Sequence, residues 1–149
     1  MFEKILVALD GSPVSENALR VAVDEARVRN AELHALYVVH HLMTHTMLYE
    51  GSAELPGENT KAYQEIMENE AGKVLEHAVE VASEEGVGII THSMAGDPRD
   101  VIIDFSGAIK ADLVVIGSSG KSSLDRFLLG SVSSSVVEHS GITTMVVRK

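Results

Sequence analysis

The sequence contains no cysteine and no tryptophan, and aromatic residues make up only 4% of its 149 residues. Without cysteine the chain can form no disulfide bond, no thiolate metal site and no thiol nucleophile. Its longest aliphatic run, residues 5–9, is far too short to span a membrane, and the N-terminus lacks the basic-then-apolar layout of a signal peptide. These absences predict a soluble, cytoplasmic protein.

Basic residues are also scarce. Twelve Lys and Arg stand against 22 Asp and Glu, which gives a net charge of −10. Such a balance argues against a nucleic-acid partner and against an anionic-membrane surface. Hydrophobic residues make up 45% and charged residues 23%, an ordinary globular composition. The length predicts a single domain over residues 1–149 that needs no metal or disulfide to fold.

Five short apolar runs, rich in Val, Ile and Leu, are distributed along the chain. They cover residues 5–9, 33–39, 89–94, 113–116 and 143–147. Most are continuously apolar and do not alternate with polar residues, a pattern typical of strands buried on both faces of a parallel sheet.

The segments between these runs have helical spacing. Ser12 is a suitable N-cap for the first helix, and a longer helix over about residues 61–85 has an apolar stripe that includes Ile66. Asp97 opens a third helix, and a fourth begins near Gly130. Strands that alternate with helices predict an α/β fold: an open, doubly wound, five-stranded parallel sheet with helices on both faces.

The connection over residues 40–60 is longer than an ordinary loop, and such segments are commonly functional or disordered. It contains His40, His41 and His45, a spacing that raises a metal hypothesis. No carboxylate pattern completes a site there, so the favoured interpretation is solvated loop histidines.

The end of the fourth predicted strand carries the densest chemical signal. Two glycines, four serines and Lys121 occupy residues 117–123, and a helix begins at Gly130-Ser131. Gly117 would let the chain turn, Gly120 would let backbone amides approach an anion, and the helix start offers unpaired N–H groups. Any one of these residues could be a simple turn or cap; the set together predicts a phosphate site.

Other phosphate and nucleophile motifs do not fit. A Walker A loop needs a glycine where this chain has Val115. No strand-to-helix turn carries a Gly-x-Gly-x-x-Gly fingerprint, and no Gly-x-Ser-x-Gly nucleophile elbow is present.

Gly117, two residues, Gly120, nine residues and then Gly130-Ser131 resembles the ATP-binding signature of the universal stress protein family. The similarity extends to the opening at residues 5–12 and to residues 111–117, and residues 40–60 are the part it does not cover. The resemblance implies a flavodoxin-like sheet in the order 3-2-1-4-5, a homodimer through the last strand, and bound ATP.

Carried over by position, the resemblance implies that three residues border the adenine, that Asp10 lies near the nucleoside and a possible Mg²⁺, and that two glycine-serine segments contact the ribose and phosphates. The implied cofactor-binding residues are Ala8, Asp10, Val38, Ile116, Gly117, Ser118, Ser119, Gly120, Lys121, Ser122, Ser123, Gly130, Ser131, Val132 and Ser133. Two departures are Ala8, where relatives can carry proline, and Ser119, which replaces a frequent histidine.

Three functions stay open on the sequence alone. The favoured one is an ATP-binding regulatory or stress-response protein with slow or no turnover. A Mg-dependent ATP hydrolase or autokinase would use Asp10, which could equally only hydrogen-bond the Gly11-Ser12 turn. A nucleotide-free dimeric adaptor would use the glycines for structure alone.

Overall fold

The computed structural model describes residues 1–40, 58–119 and 129–148. Strands and helices alternate throughout, and no helix in these residues is long and apolar enough to cross a membrane. The elements are β1 (Lys4–Leu9), α1 (Pro13–Arg29), β2 (Glu32–Val39), α2 (Glu58–Glu84), β3 (Ile89–Ala95), α3 (Pro98–Ala108), β4 (Leu113–Gly117), α4 (Ser131–His139) and β5 (Thr143–Val147).

The five strands form one parallel sheet in the order β3-β2-β1-β4-β5. This confirms the α/β fold predicted from the sequence pattern and the strand order implied by the family resemblance. The central strands β1, β2 and β4 are almost wholly buried, so their uninterrupted Val, Ile and Leu runs follow from coverage on both faces.

Side chains alternate between two cores on opposite faces of the sheet. Ile5, Val7 and Leu9 of β1 pack with α1 and α2, whereas Leu6 and Ala8 pack with α3 and α4. Two helices therefore cover each face, which is the doubly wound arrangement.

Of the four helices formed by the described residues, α1 and α3 begin at a side-chain cap. The Ser12 hydroxyl accepts a hydrogen bond from the Ser15 N–H at 3.2 Å, and Asp97 Oδ1 accepts one from the Arg99 N–H at 3.0 Å. A proline follows each cap at the first helical position, where a missing N–H costs nothing. The predicted cap at Ser12 and the predicted helix start at Asp97 are both confirmed.

The apolar stripe of α2 differs from the predicted one at Ile66, which is 62% exposed. The buried positions run along Ala71, Leu75, Ala78 and Ala82, with Met67 packed partly against them. Ile66 precedes Met67 and so points about 100° away around the helix, off the stripe. The prediction of a buried Ile66 was wrong.

Candidate functional site

The order of the strands reverses between β1 and β4. The crossovers through α1 and α2 place β2 and β3 on one side of β1, and those through α3 and α4 place β4 and β5 on the other. In open parallel sheets this switch point leaves a crevice beyond the carboxyl ends of the strands. The residues just after Leu9, at the end of β1, therefore lie at the same edge of the sheet as the residues on either side of Gly117, at the end of β4.

The end of β4 is packed tightly against the start of α1. A Cβ on Gly117 would lie 2.8 Å from Val14 Cγ1, 3.2 Å from the Val14 carbonyl carbon and 3.3 Å from the Ser15 nitrogen. Gly117 is the last residue of β4 and has no positive φ. The glycine is needed for this close approach of α1, and not, as the sequence suggested, for a sharp turn of the chain.

The residue after β4 connects it to both β5 and α4. The Ser118 N–H donates to the Val147 carbonyl at 2.8 Å, and the Ser118 carbonyl accepts from the Gly130 N–H at 2.7 Å. The hydroxyl of Ser133, only 2% exposed, lies 2.8 Å from the same carbonyl. These bonds fix the N-terminus of α4 at the exit of β4. The Ser133 hydroxyl contributes to this by donating a hydrogen bond to the Ser118 carbonyl within the protein.

The N-terminus of α4 has no side-chain cap within the described residues. Gly130 occupies the N-cap position, and the first intrahelical bond of α4 runs from the Ser134 N–H to the Gly130 carbonyl at 2.9 Å. The N–H groups of Ser131, Val132 and Ser133 precede that bond and are the donors that a helix leaves for an external acceptor. This start differs from those of α1 and α3, which their own side chains cap.

Asp10 stabilises the turn that leads into α1. Its Oδ1 accepts from the Ser12 N–H at 2.9 Å across Gly11, which has a φ of +81°. The turn-forming role considered for Asp10 is therefore present in the structure. Within residues 1–40, 58–119 and 129–148, no group of three or more His, Asp or Glu side chains is placed to hold a metal ion.

The predicted adenine-bordering residues come together on the α3/α4 face. Ala8, Val38 and Ile116 belong to one apolar cluster near the carboxyl edge. Met94 of β3 pairs in register with Val38 and is 41% exposed, so it extends this wall. Sequence reasoning missed Met94, although it is the last residue of the third apolar run and the register of parallel strands could have indicated it.

Four predicted phosphate-contacting residues lie outside the described part of the chain: Gly120, Lys121, Ser122 and Ser123. Two of the three loop histidines considered as metal ligands, His41 and His45, also lie outside it. The remaining predicted residues all lie on the carboxyl edge or on the first turn of α4.

Asp97, the cap of α3, adds a fixed negative charge beyond β3. The hydrogen bonds from the Arg99 guanidinium lower the pKa of this carboxyl below its ordinary value, with a smaller contribution from the charge of His40. The adjacent Gly96 N–H donates to the Val39 carbonyl at 3.0 Å, which attaches this turn to the end of β2. Asp97 is thus ionised, and both of its carboxylate oxygens accept hydrogen bonds from Arg99.

A cavity of about 200 Å³ lies on the other face of the sheet, between α1 and α2. It shares the Gly11-Ser12 turn with the carboxyl edge but includes neither the β4 exit nor the start of α4. Its lining residues are Leu9, Gly11, Ser12, Ser15, Glu16, Leu19, Lys73, Val74 and His77. The cavity and the predicted nucleotide site are therefore different places.

The chain matches known proteins along its whole length. The model of the universal stress protein family matches residues 1–148. A universal stress protein of Methanocaldococcus jannaschii is 36% identical over 149 residues, which are 100% of this chain and 84% of that protein. The Bacillus subtilis universal stress protein YxiE is 36% identical over 148 residues, 99% of this chain and 100% of the relative.

Solved structures agree with this match. A universal stress protein from Lactobacillus plantarum has a TM-score of 0.78 at 28% identity, covering 99% of this chain and 98% of that one. One from Archaeoglobus fulgidus, in complex with dAMP, has a TM-score of 0.70 at 26% identity, covering 99% and 100%. Another, in complex with cAMP, has a TM-score of 0.69 at 26% identity, covering 99% and 97%. The fold, the family model and the full-length relatives agree, and the chain belongs to the universal stress protein family.

Proposed function

We propose that this protein binds an adenine nucleotide, with ATP as the physiological ligand, at the carboxyl edge between β1 and β4, and that it acts as a regulatory protein with slow or no turnover. The observation that carries the proposal is the start of α4. Its first N–H groups have no side-chain cap among the described residues, and the Ser118–Gly130 bond holds them at the exit of β4. Relatives of the same fold are in complex with dAMP and cAMP.

The chemistry of the phosphate end follows from these amides. A helix N-terminus combines unpaired donors with a favourable dipole, and it binds anions even when the protein as a whole is negative. Hydrogen bonds to a charged acceptor contribute roughly 1.5–3 kcal/mol each, against the cost of ordering the ligand. An affinity near micromolar, about −8 kcal/mol, is the expected result.

The adenine would lie against the apolar wall of Ala8, Val38 and Ile116, where the backbone of Val38 can pair with the edge of the base. Met94 would border it from β3. Gly120, Lys121 and the serines at 122 and 123 are proposed to complete the phosphate site, as the family resemblance implies. Asp10 is proposed to face a Mg²⁺ held mainly by phosphate oxygens and water, since Mg²⁺ typically takes one or two carboxylates beside the phosphates.

The test is nucleotide binding by wild type and by three glycine variants, measured by isothermal titration calorimetry with ATP, dAMP and cAMP in the presence and absence of Mg²⁺. In Gly130→Asp a carboxylate enters the N-cap position, where it caps α4 itself and repels a phosphate. We expect at least tenfold weaker ATP binding, because aspartate is a good N-cap and competes for the same amides.

Two controls separate charge from shape. Gly130→Ala adds only the Cβ, which would lie 3.3 Å from Ser119 Cα, and we expect less than a threefold loss. Gly141→Asp adds the same charge beyond the other end of α4, with nothing within 4 Å of its Cβ, and should bind as wild type does. Wild-type affinity in folded Gly130→Asp, or no ATP retained by wild type at millimolar concentration, contradicts the proposed site.

We also propose that the protein is a homodimer formed through β5, and that it functions in the cytoplasm. β5 is an edge strand, and its apolar residues Met145, Val146 and Val147 stay partly exposed although they pack against the two cores. A second copy on this edge would bury them and pair the open backbone of the strand.

A further inference from the structure

Two histidines join the edge strand β3 to its neighbour β2. His34 Nδ1 lies 2.9 Å from His92 Nε2, and the two rings are nearly parallel, with centroids 5.1 Å apart and planes 13° apart. His34 Nε2 also bonds Glu32, two residues earlier on the same face of β2. In register His92 pairs with Leu36, so the contact with His34 is a diagonal one across the two strands.

Glu32, His34 and His92 form a chain of two hydrogen bonds, and the donor in each bond can be assigned by starting from Glu32. The hydrogen bond from His34, with a further contribution from the charge of Lys4, lowers the pKa of Glu32, so this carboxylate is ionised and accepts. His34 Nε2 therefore carries a hydrogen, and in the neutral ring Nδ1 is an acceptor. His92 Nε2 must then donate to it. All three groups are satisfied when both imidazoles are neutral.

Only one nitrogen of the pair can accept an added proton without breaking a hydrogen bond between Glu32, His34 and His92. The first can occupy His92 Nδ1, and the bond to His34 stays intact. A second proton on His34 Nδ1 would point two N–H groups at each other across 2.9 Å, between two adjacent cations. Once β3 separates from β2, each imidazole can take its own proton at the ordinary histidine pKa near 6.5.

The surroundings disfavour charge on the pair. His34 is 6% exposed, and the ring of His92 packs on Phe105 of α3 with centroids 4.6 Å apart. Partial burial, and then the charge of His34, lower the pKa of His92 below its ordinary value. A group that binds its proton less readily in the folded state costs stability as the pH falls below its unfolded pKa.

The charged groups described on the elements packed against the pair are bonded elsewhere or exposed to solvent. On β1, Lys4 donates to the Ile109 carbonyl and acts on Glu32. On α3, Arg99 bonds Asp97 at the N-terminus of the helix. The remaining carboxylates of α3, at positions 100 and 104, are exposed, and α2 packs on the opposite face of the sheet.

We propose that Glu32, His34 and His92 form an acid-sensitive latch for β3: near neutral pH the chain holds this edge strand against β2, and below about pH 6.5 proton uptake releases it. Strand release takes up at least one proton that the closed pair cannot hold. The equilibrium constant for opening therefore rises about tenfold for each pH unit below 6.5. Opening would also separate Met94 from Val38 at the end of the same strand pair.

The test is amide hydrogen exchange of the full-length protein between pH 5.0 and 7.5, corrected for the intrinsic exchange rates. In wild type the opening constant of the β3 amides should rise about tenfold per pH unit below 6.5, while the amides of the central strand β1 keep their protection. The double variant His34→Gln/His92→Gln keeps a donor toward Glu32 and a donor–acceptor contact between the two strands, but it has no imidazole to titrate, so its β3 opening should not depend on pH.

A matched control removes a histidine elsewhere. His139→Gln changes an exposed imidazole on α4 that bonds the Ser135 carbonyl, and it should keep the wild-type pH dependence. A flat wild-type profile, an unchanged slope in the double variant, or equal loss of protection in β1 and β3 overturns the latch.

A second measurement needs no variant. Histidine signals followed by nuclear magnetic resonance in wild type should show His92 titrating below pH 6.5, with the closed pair taking up no more than one proton. Full protonation of both rings above pH 5.5, while β3 stays protected, overturns the proposal as well.

Discussion

Gly117 and Gly130 mark the two sides of the proposed phosphate site, and each is glycine because another backbone comes close. Neither has a positive φ, so conformational freedom does not explain them. Because Gly117 has no side chain, α1 can approach β4 closely. At Gly130, an added Cβ would lie only 3.3 Å from the Cα of Ser119. The same close packing that positions the amides therefore contributes to the stability of the fold.

Gly117→Ala should destabilise the protein by about 1–3 kcal/mol, the usual cost of overpacking. Its Cβ would meet Val14 Cγ1 at 2.8 Å and, within 3.2 Å and 3.3 Å, backbone atoms of α1 that cannot rotate away. Urea unfolding followed by circular dichroism measures the change. Gly88→Ala, with nothing within 4 Å of the new Cβ, is the control and should unfold near the wild-type midpoint. Equal midpoints for the two variants would show that α1 yields without cost.

The helices and strands are the part of this structure that sequence reasoning predicts best. Continuous apolar runs located β1, β2 and β4 because these central strands are covered on both faces, and shorter apolar runs located the edge strands β3 and β5. Ser12 and Asp97 located two helix starts because caps act locally. The rotation of a long helix is harder: an apolar residue such as Ile66 at the exposed start of α2 looks like part of the stripe but has no partner element beneath it.

The proposed site was predicted less completely, because it depends on contacts between residues far apart in the chain. The signature located the β4 exit and the start of α4, yet the roles of Gly117 and Ser133 come from α1 and from the Ser118 carbonyl. The hydrogen-bonded pair of His34 and His92 combines residues 58 positions apart, and only the register of β2 and β3 brings them together.

Gly72, inside α2, and Gly86, just after its end, allow a prediction about helix stability. A Cβ on Gly72 or on Gly86 meets nothing within 4 Å, but Gly72 lies inside the helix, whereas Gly86 follows it with a φ of +71°. Gly72→Ala should stabilise the protein by about 0.5–1 kcal/mol through helix propensity. Gly86→Ala should destabilise it by about 1–2 kcal/mol, because an L-residue is strained there.

Thermal and urea unfolding of both α2 variants measure these opposite effects. Since neither substitution creates a contact, backbone conformation alone distinguishes them. A stabilising Gly86→Ala would show that the chain after α2 can adopt another conformation at no cost.

The molecule as a whole has two sheet edges with different chemistry. β3 carries the histidine latch and exposes Ile90 and Met94, whereas β5 ends the sheet beside β4 with no charged residue between Thr143 and Val147. A net charge of −10 opposes self-association, so a dimer must form where backbone pairing and apolar burial outweigh the repulsion. Of the two edges, β5 is the one that carries no titratable side chain, whereas β3 carries His92.

The backbone of β5 allows a specific test of the proposed dimer. The Val147 carbonyl accepts from Ser118 on β4, so by alternation along the strand the N–H of Val146 points to the open edge. Val146→Pro removes that N–H without touching the ladder to β4, a position where an edge strand tolerates proline. Native mass spectrometry should give twice the chain mass for wild type and the chain mass for Val146→Pro. Met145→Pro, whose N–H faces β4, should instead lower the free energy of unfolding, because it removes a bond inside the sheet. A monomeric wild type at micromolar concentration, or a folded Val146→Pro that stays dimeric, would exclude β5 as the interface.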